Sequence, residues 1–208
     1  MNSILHTPSI SIVVPLYYLP ELHYTIDKFF RSLDENYPDV PLIVIDDCSP
    51  SDHPFNISHK NEKNLGYVKS VNIGLKLSNT DIVIVMNDDL VIKKGDLDPF
   101  FEIGDGIYCP QDSCSSYWPH SGACFAMNRK TLKKMGYLNE EYKHFFADRE
   151  YWLKADELGI PIVKLNKICI EHPGSATFNL LDKRKIYLED EKVYIKKNPD
   201  YETREAII

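Results

Sequence analysis

Asp81-Ile82-Val83-Ile84-Val85-Met86-Asn87-Asp88-Asp89 is the stretch on which the fold turns. Its apolar residues run without alternation and stop at an asparagine and two carboxylates. A strand that is apolar at every position must be covered on both faces, as in a parallel sheet between layers of helices. Two similar runs precede it: Ile10-Ser11-Ile12-Val13-Val14, ended by Pro15, and Leu42-Ile43-Val44-Ile45, stopped by Asp46-Asp47-Cys48-Ser49-Pro50. Between the runs, Leu22, Ile26, Phe29, Phe30 and Leu33 recur at helical spacing before Pro38 and Pro41, and Val68, Val71 and Leu75 do so after Gly66. Strands alternating with amphipathic helices predict an α/β chain with a mostly parallel central sheet. Ligands of such sheets bind beyond the carboxyl ends of the strands. Residues 15–18, 46–49 and 87–89 are therefore aimed at one crevice.

The second half is less regular. Residues 104–119 read as loops around a short strand near Ile107, and 122–127 as a further apolar strand with a helix from about Thr131. Residues 148–158 predict a helix with Trp152 and Leu153 inward, ended by Gly159-Ile160-Pro161, and 162–165 a returning strand. From Asn179, as N-cap, to Asn198 runs a charged helix with Leu181, Tyr187, Leu188 and Tyr194 as its apolar positions. It is expected to stabilise the fold or shape the acceptor side rather than the nucleotide side. The 208 residues predict a single domain, divided into 1–103, 104–178 and a C-terminal helix and tail at 179–208.

Composition narrows the function. The net charge of −7 argues against a nucleic-acid groove, whose affinity comes from many Lys/Arg–phosphate contacts. No stretch approaches the roughly 18 continuous apolar residues of a transmembrane segment, and residues 1–8 lack the pattern of a signal peptide. Five cysteines without a CxxC pair read as reduced thiols, and the expected location is cytoplasmic.

Several groups could do chemistry. Asp88-Asp89 at a strand end suits Mg²⁺ or Mn²⁺, which take oxygen ligands and share phosphate oxygens, and reads equally as a turn. Asp46-Asp47 carries the same two readings, a base or ribose contact against a loop cap. His172 follows a predicted strand and offers an imidazole that is either a metal ligand or a hydrogen-bonded structural group. Asp148 and Glu150 open a helix, where carboxylates complement the dipole. Their aromatic surroundings (Tyr142, Phe145, Phe146, Tyr151, Trp152) suit a sugar pocket and would raise a carboxylate pKa towards general-base values.

With these positions laid out, the chain resembles the family 2 nucleotide-sugar glycosyltransferases, inverting enzymes of GT-A fold with a Rossmann-like nucleotide half and a smaller irregular acceptor half. The matching segments are Ser11-Ile12-Val13-Val14-Pro15-Leu16-Tyr17, Ile45-Asp46-Asp47-Cys48-Ser49, Asn64-Leu65-Gly66 with Asn72-Ile73-Gly74, and Val85-Met86-Asn87-Asp88-Asp89. They continue with Gly122-Ala123-Cys124-Phe125, Phe146-Ala147-Asp148-Arg149-Glu150 and the rhamnosyltransferase-like His172-Pro173-Gly174-Ser175. The resemblance implies that Pro15 and Tyr17 border the base, Asp47 hydrogen-bonds it and Asp88 touches the ribose. It implies Asp89 as ligand of Mn²⁺ or Mg²⁺, His172 as a further ligand, and Asp148 as catalytic base. The implied donor is a UDP- or dTDP-linked sugar and the acceptor a hydroxyl of a glycan or other molecule. Tyr18, Ala147 and Glu150 depart from the family pattern, where Asn, Glu and Asp are usual.

Other classes compete. A catalytically silent GT-A module that binds a glycan or a protein would have no reason to keep both Asp89 and Asp148. A dinucleotide-dependent oxidoreductase would need GxGxxG after the first strand, where Pro15-Leu16-Tyr17-Tyr18 stands. A sugar-1-phosphate nucleotidyltransferase would need a Gly-rich basic first loop, which is missing there.

Overall fold

The computed structural model describes residues 8–112, 122–172, 177 and 180–201. Its strands are β1 (Ile10–Leu16), β2 (Leu42–Asp46), β3 (His59–Lys60), β4 (Ile82–Met86), β5 (Ile107–Asp112), β6 (Cys124–Asn128) and β7 (Ile162–Ile170). They form one sheet in the order β3-β2-β1-β4-β6-β5-β7. Neighbours pair in parallel except β6, which runs antiparallel to both β4 and β5. The helices are α1 (His23–Asn36), α2 (Tyr67–Leu77), α3 (Arg129–Met135), α4 (Ala147–Glu157) and α5 (Lys183–Lys197). This is the expected mixed α/β fold with a mostly parallel sheet flanked by helices.

The continuous apolar runs become strands buried on both faces. Successive side chains of a strand point to opposite faces, so Ile12, Val14, Ile84 and Met86 share a core with Ile26, Phe29 and Leu33 of α1. Val13, Val83 and Val85 meet Val68, Val71 and Leu75 of α2 on the other side. The approach of α2 to β1 is close because Gly74 has no side chain; a Cβ there would lie 2.2 Å from Val13 Cγ1. Asn72, also on α2, is fully buried and closes a two-bond pair with the backbone of Leu138, donating to its carbonyl at 2.9 Å and accepting from its N–H at 3.0 Å.

Several boundaries differ from expectation. Pro15 does not end β1, which continues to Leu16. The N–H of Ile12 points to the β2 side, where it bonds Pro41 O, so by alternation position 15 faces β4. Pairing with β4 stops at Val13, and no ladder bond is lost by placing a proline there. Leu153 is 43% exposed because the inward stripe of α4 is Tyr151, Trp152 and Ala155. β7 runs to Ile170 rather than stopping near Leu165. α5 begins at Lys183, and the Asp182 carboxylate caps it by accepting from the Lys185 N–H. Leu188 is 36% exposed, since the packed face of α5 carries Asp190, Glu191 and Tyr194. An apolar-stripe reading cannot find a face built on two carboxylates. The expected Asn179 cap, Pro173-Gly174-Ser175 and residues 113–119 of the expected loop lie outside the described residues.

The Gly74 contact generates a stability test. Gly74→Ala places a methyl against Val13 in the centre of the domain, and overpacking of this kind costs about 1–3 kcal/mol. Urea unfolding should move the midpoint down by the corresponding amount. A midpoint equal to the parent's, or the rise that a helical Gly→Ala change normally brings, would contradict the close approach.

Candidate active site

The carboxyl ends of β1, β2 and β4 open on one cleft of about 290 Å³. Pro15, Tyr17, Asp47, Asp88 and Asp89, drawn from three separate segments, all line it. Asn64, Tyr67 and Asn87 line it too, as do Lys143 and His144 from the segment before α4. Leu181, Ile186 and Glu189, from α5 and the turn before it, complete a wall that the sequence assigned elsewhere: the C-terminal helix borders the predicted nucleotide side.

The acidic pair after β2 divides its work. Asp46 is fully buried, and its carboxylate accepts from the Ser49 N–H at 2.8 Å and faces Lys60 Nζ at 3.1 Å. Burial pushes its pKa up, but the hydrogen bonds from Ser49 and the Lys60 ammonium outweigh this and hold it below the ordinary value. Ser49 Oγ in turn accepts from the Tyr18 N–H at 2.8 Å, so Asp46 ties the ends of β2 and β1 together. Asp47 points the other way. It accepts from Asn61 Nδ2 (2.8 Å), the Leu65 N–H (2.7 Å) and the Gly66 N–H (2.7 Å), which fixes the turn into α2. A carboxylate has about four acceptor positions, so Asp47 keeps roughly one for a ligand in the cleft.

Asp88 and Asp89 are both nearly buried. Burial, then the neighbouring Asp89 charge, pushes the Asp88 pKa up to about 8, against the opposing hydrogen bond from the Tyr17 N–H. His172 reaches this pair from the far side of the sequence. Val91 and Glu171 form an isolated bridge, with the Val91 N–H bonded to Glu171 O at 3.0 Å, and this brings His172 Nε2 to 3.3 Å from Asp89 Oδ1. One carboxylate oxygen and one imidazole nitrogen at that separation can share a divalent cation. Among the described residues no group of three or more His, Cys, Asp or Glu forms a fuller cage. A Mg²⁺- or Mn²⁺-type ion held by one or two protein groups completes its shell with phosphate oxygens and water, so the donor set fits an ion carried with a diphosphate.

Asp148 stands in the first turn of α4 and is not among the residues that line this cleft. Its carboxyl group is pressed against Gly122, where a Cβ would lie 2.7 Å from Oδ2. Burial holds its pKa above the ordinary value, opposed by backbone N–H groups of Arg149 and Gly122. Tyr67 links it to the cleft: the hydroxyl donates to Gly122 O at 2.9 Å, and the backbone N–H donates to His144 Nδ1 at 3.4 Å. Burial, then the adjacent Lys143, drives the His144 pKa down to about 4, so that imidazole is neutral at pH 7.

Residues 11–105 match the family described as Glycosyl transferase family 2, bearing out the resemblance over that segment. No curated protein matches the chain. Among solved structures it is similar to the mannosyltransferase PcManGT from Pyrobaculum calidifontis in complex with GDP-Man and Mn²⁺. The TM-score is 0.68 at 13% identity over 96% of this chain and 66% of that one. It is similar to S. aureus TarS (TM-score 0.64, 19% identity, 87% of this chain and 65% of that one). It is also similar to GalNAc-T7 with UDP, GalNAc and Mn²⁺ (TM-score 0.64, 11% identity, 80% of this chain and 43% of that one). The chain thus spans less than two thirds of the length of these structures, and the likeness establishes the GT-A fold.

Asp46 is a framework group, and its chemistry gives a pH signature. Its folded pKa lies below the unfolded value near 3.9, so its stabilisation is complete above about pH 4 and is lost as pH falls through the folded value. Asp46→Ala should cost about 1–3 kcal/mol at pH 7, and the gap from the parent should narrow towards pH 3. Urea midpoints at both pH values measure this; a gap that does not shrink in acid would argue against the charged pairing with Lys60.

Proposed function

From the family match at residues 11–105 and the acidic cleft beside it, we propose that this chain is an inverting glycosyltransferase. It moves a sugar from a nucleoside-diphosphate donor to a hydroxyl of a glycan or other acceptor. The observation that carries the reading is the convergence of Pro15, Tyr17, Asp47, Asp88 and Asp89 on one cleft, with His172 against Asp89 and Asp148 against Gly122, to which the cleft-lining Tyr67 is hydrogen-bonded. The GDP-Man, UDP and Mn²⁺ carried by the similar structures support a donor and a metal of this kind.

In this reading Pro15 and Tyr17 border the base, Asp47 offers its remaining acceptor position to it, and Asp88 meets the ribose. Asp89 and His172 would hold the divalent ion, Mn²⁺ or Mg²⁺. When bound, such an ion neutralises charge on the departing diphosphate. Asp148 removes the proton from the acceptor hydroxyl, the acceptor oxygen bonds to the anomeric carbon, and the bond from that carbon to the diphosphate oxygen breaks on the opposite face. Inversion follows from that single displacement. Burial suits Asp148 to the task, because a base with a raised pKa holds a proton more firmly as the bond forms. Residues 1–103 then serve the donor and 104–178 the acceptor within one domain, with α5 touching both.

Two tests address the metal and the base. Calorimetry with UDP should detect binding in Mn²⁺ that is mostly lost in EDTA; Asp89→Ala should remove the metal-dependent part, whereas His172→Ala should weaken it. Equal affinity with and without the metal would overturn the roles of Asp89 and His172. Asp148→Asn keeps the shape and removes the base, so turnover should fall by roughly 10²–10⁴-fold while nucleotide affinity stays near that of the parent. The parent's turnover should decline on the acid side at a pH above the ordinary aspartate range. Parent-level turnover in Asp148→Asn would take this residue out of the mechanism.

A further inference from the structure

α5 reads in sequence as a solvated helix of mixed charge, yet Asp190 in its middle is 3% exposed. Its carboxylate accepts three consecutive backbone N–H groups, Lys143 at 2.8 Å on Oδ1 and His144 and Phe145 at 2.7 Å each on Oδ2. Successive N–H groups turned towards one point form an anion-binding concavity, and here a side chain fills it. The next residue, Phe146, has φ +63°, a left-handed conformation that a bulky residue adopts only when its surroundings impose it. Those surroundings again come from the C-terminal segment. Tyr187 and Tyr194 pack on the Phe146 ring at 4.9 Å each, and the Arg149 guanidinium lies over Tyr194 and Tyr201 at 4.7 and 4.8 Å.

The segment fixed in this way has two outputs. Lys143 and His144 line the cleft, and Asp148 stands two residues after the left-handed turn. We propose that Asp190 is a positioning residue that sets the 143–148 segment in register, so that the cleft wall and the base are aligned by one carboxylate. This rests on the reading of Asp148 as base for its second half only; the cleft wall is independent of it. Positioning of this kind acts on rate steeply, because an ångström of misplacement at a reacting group costs about 10²-fold.

The test uses the full chain. Asp190→Asn is nearly isosteric, but its amide NH₂ opposes an N–H where an oxygen accepted one. It is compared with the parent, Asp148→Asn and the double variant, all below their melting temperatures. Asp190→Asn should lose at least about 10-fold in kcat and weaken UDP–Mn²⁺ affinity at least about 5-fold. Because Asp190 acts on rate through Asp148, the double variant should turn over no more slowly than Asp148→Asn by more than about 2-fold. Parent-like kcat and affinity in folded Asp190→Asn would overturn the proposal, as would independent, multiplying losses in kcat. If Asp148→Asn keeps full turnover, the reading of the base fails and the affinity arm alone decides the role of Asp190. Should Asp190→Asn not fold, Asp190→Glu, which keeps the charge one methylene out of register, is read against the same limits.

Discussion

β1 and β4 run side by side in the middle of the sheet, with every residue of β4 and all but Pro15 of β1 buried. Burial on both faces leaves no position along these strands where a carboxylate could stay charged without a large desolvation cost. The first places that a ligand or water can reach are the strand ends. Asp47, Asp88 and Asp89 occupy those ends one to three residues past the last residue of their strands, and the parallel direction of β1, β2 and β4 brings them to the same edge. The cleft is thus a by-product of how the core is covered, and the tight seating of α2 at Gly74 against Val13 belongs to the same constraint.

One residue type serves four ends through its surroundings. Asp46, bonded by Ser49 and Lys60, is a low-pKa strut. Asp47 uses most of its acceptor capacity to shape the turn into α2. Asp88, buried beside Asp89, has its pKa pushed up to about 8. Asp148 is raised by burial alone, without a charged neighbour driving it up. Which of desolvation, hydrogen bonding or charge dominates sets the chemistry at each position.

The family match ends at residue 105, whereas Gly122, Asp148, His172 and Asp190 all lie beyond it. This later half is joined to the earlier one by β6, whose antiparallel course beside β4 carries the chain back along the sheet. Gly122 immediately precedes that return, which is how it comes to lie between Tyr67 and Asp148. The C-terminal helix then closes over the segment before α4 and contributes Ile186 and Glu189 to the cleft.

The central strands, the layers and the edge at which the site would lie were legible in the sequence, because uninterrupted apolar runs and helical spacing are local signals of burial; the two-residue edge strand β3, His59–Lys60, carries no such run and was not. Pro15, Tyr17, Asp47, Asp88 and Asp89 could be picked out for the same reason, each following such a run directly. The division between Asp46 and Asp47 was not legible, since it depends on Lys60 meeting one and Asn61, Leu65 and Gly66 the other. Nor were Lys143, His144 or the cleft-lining side of α5. Asp190 looks like any charge on a solvated helix, and its partners lie 45 to 47 residues away along the chain. Apolar periodicity reports which face of an element is buried. Which carboxylate meets which backbone N–H is decided only when segments distant in sequence are brought together, and hydrogen bonds of this kind leave no period behind.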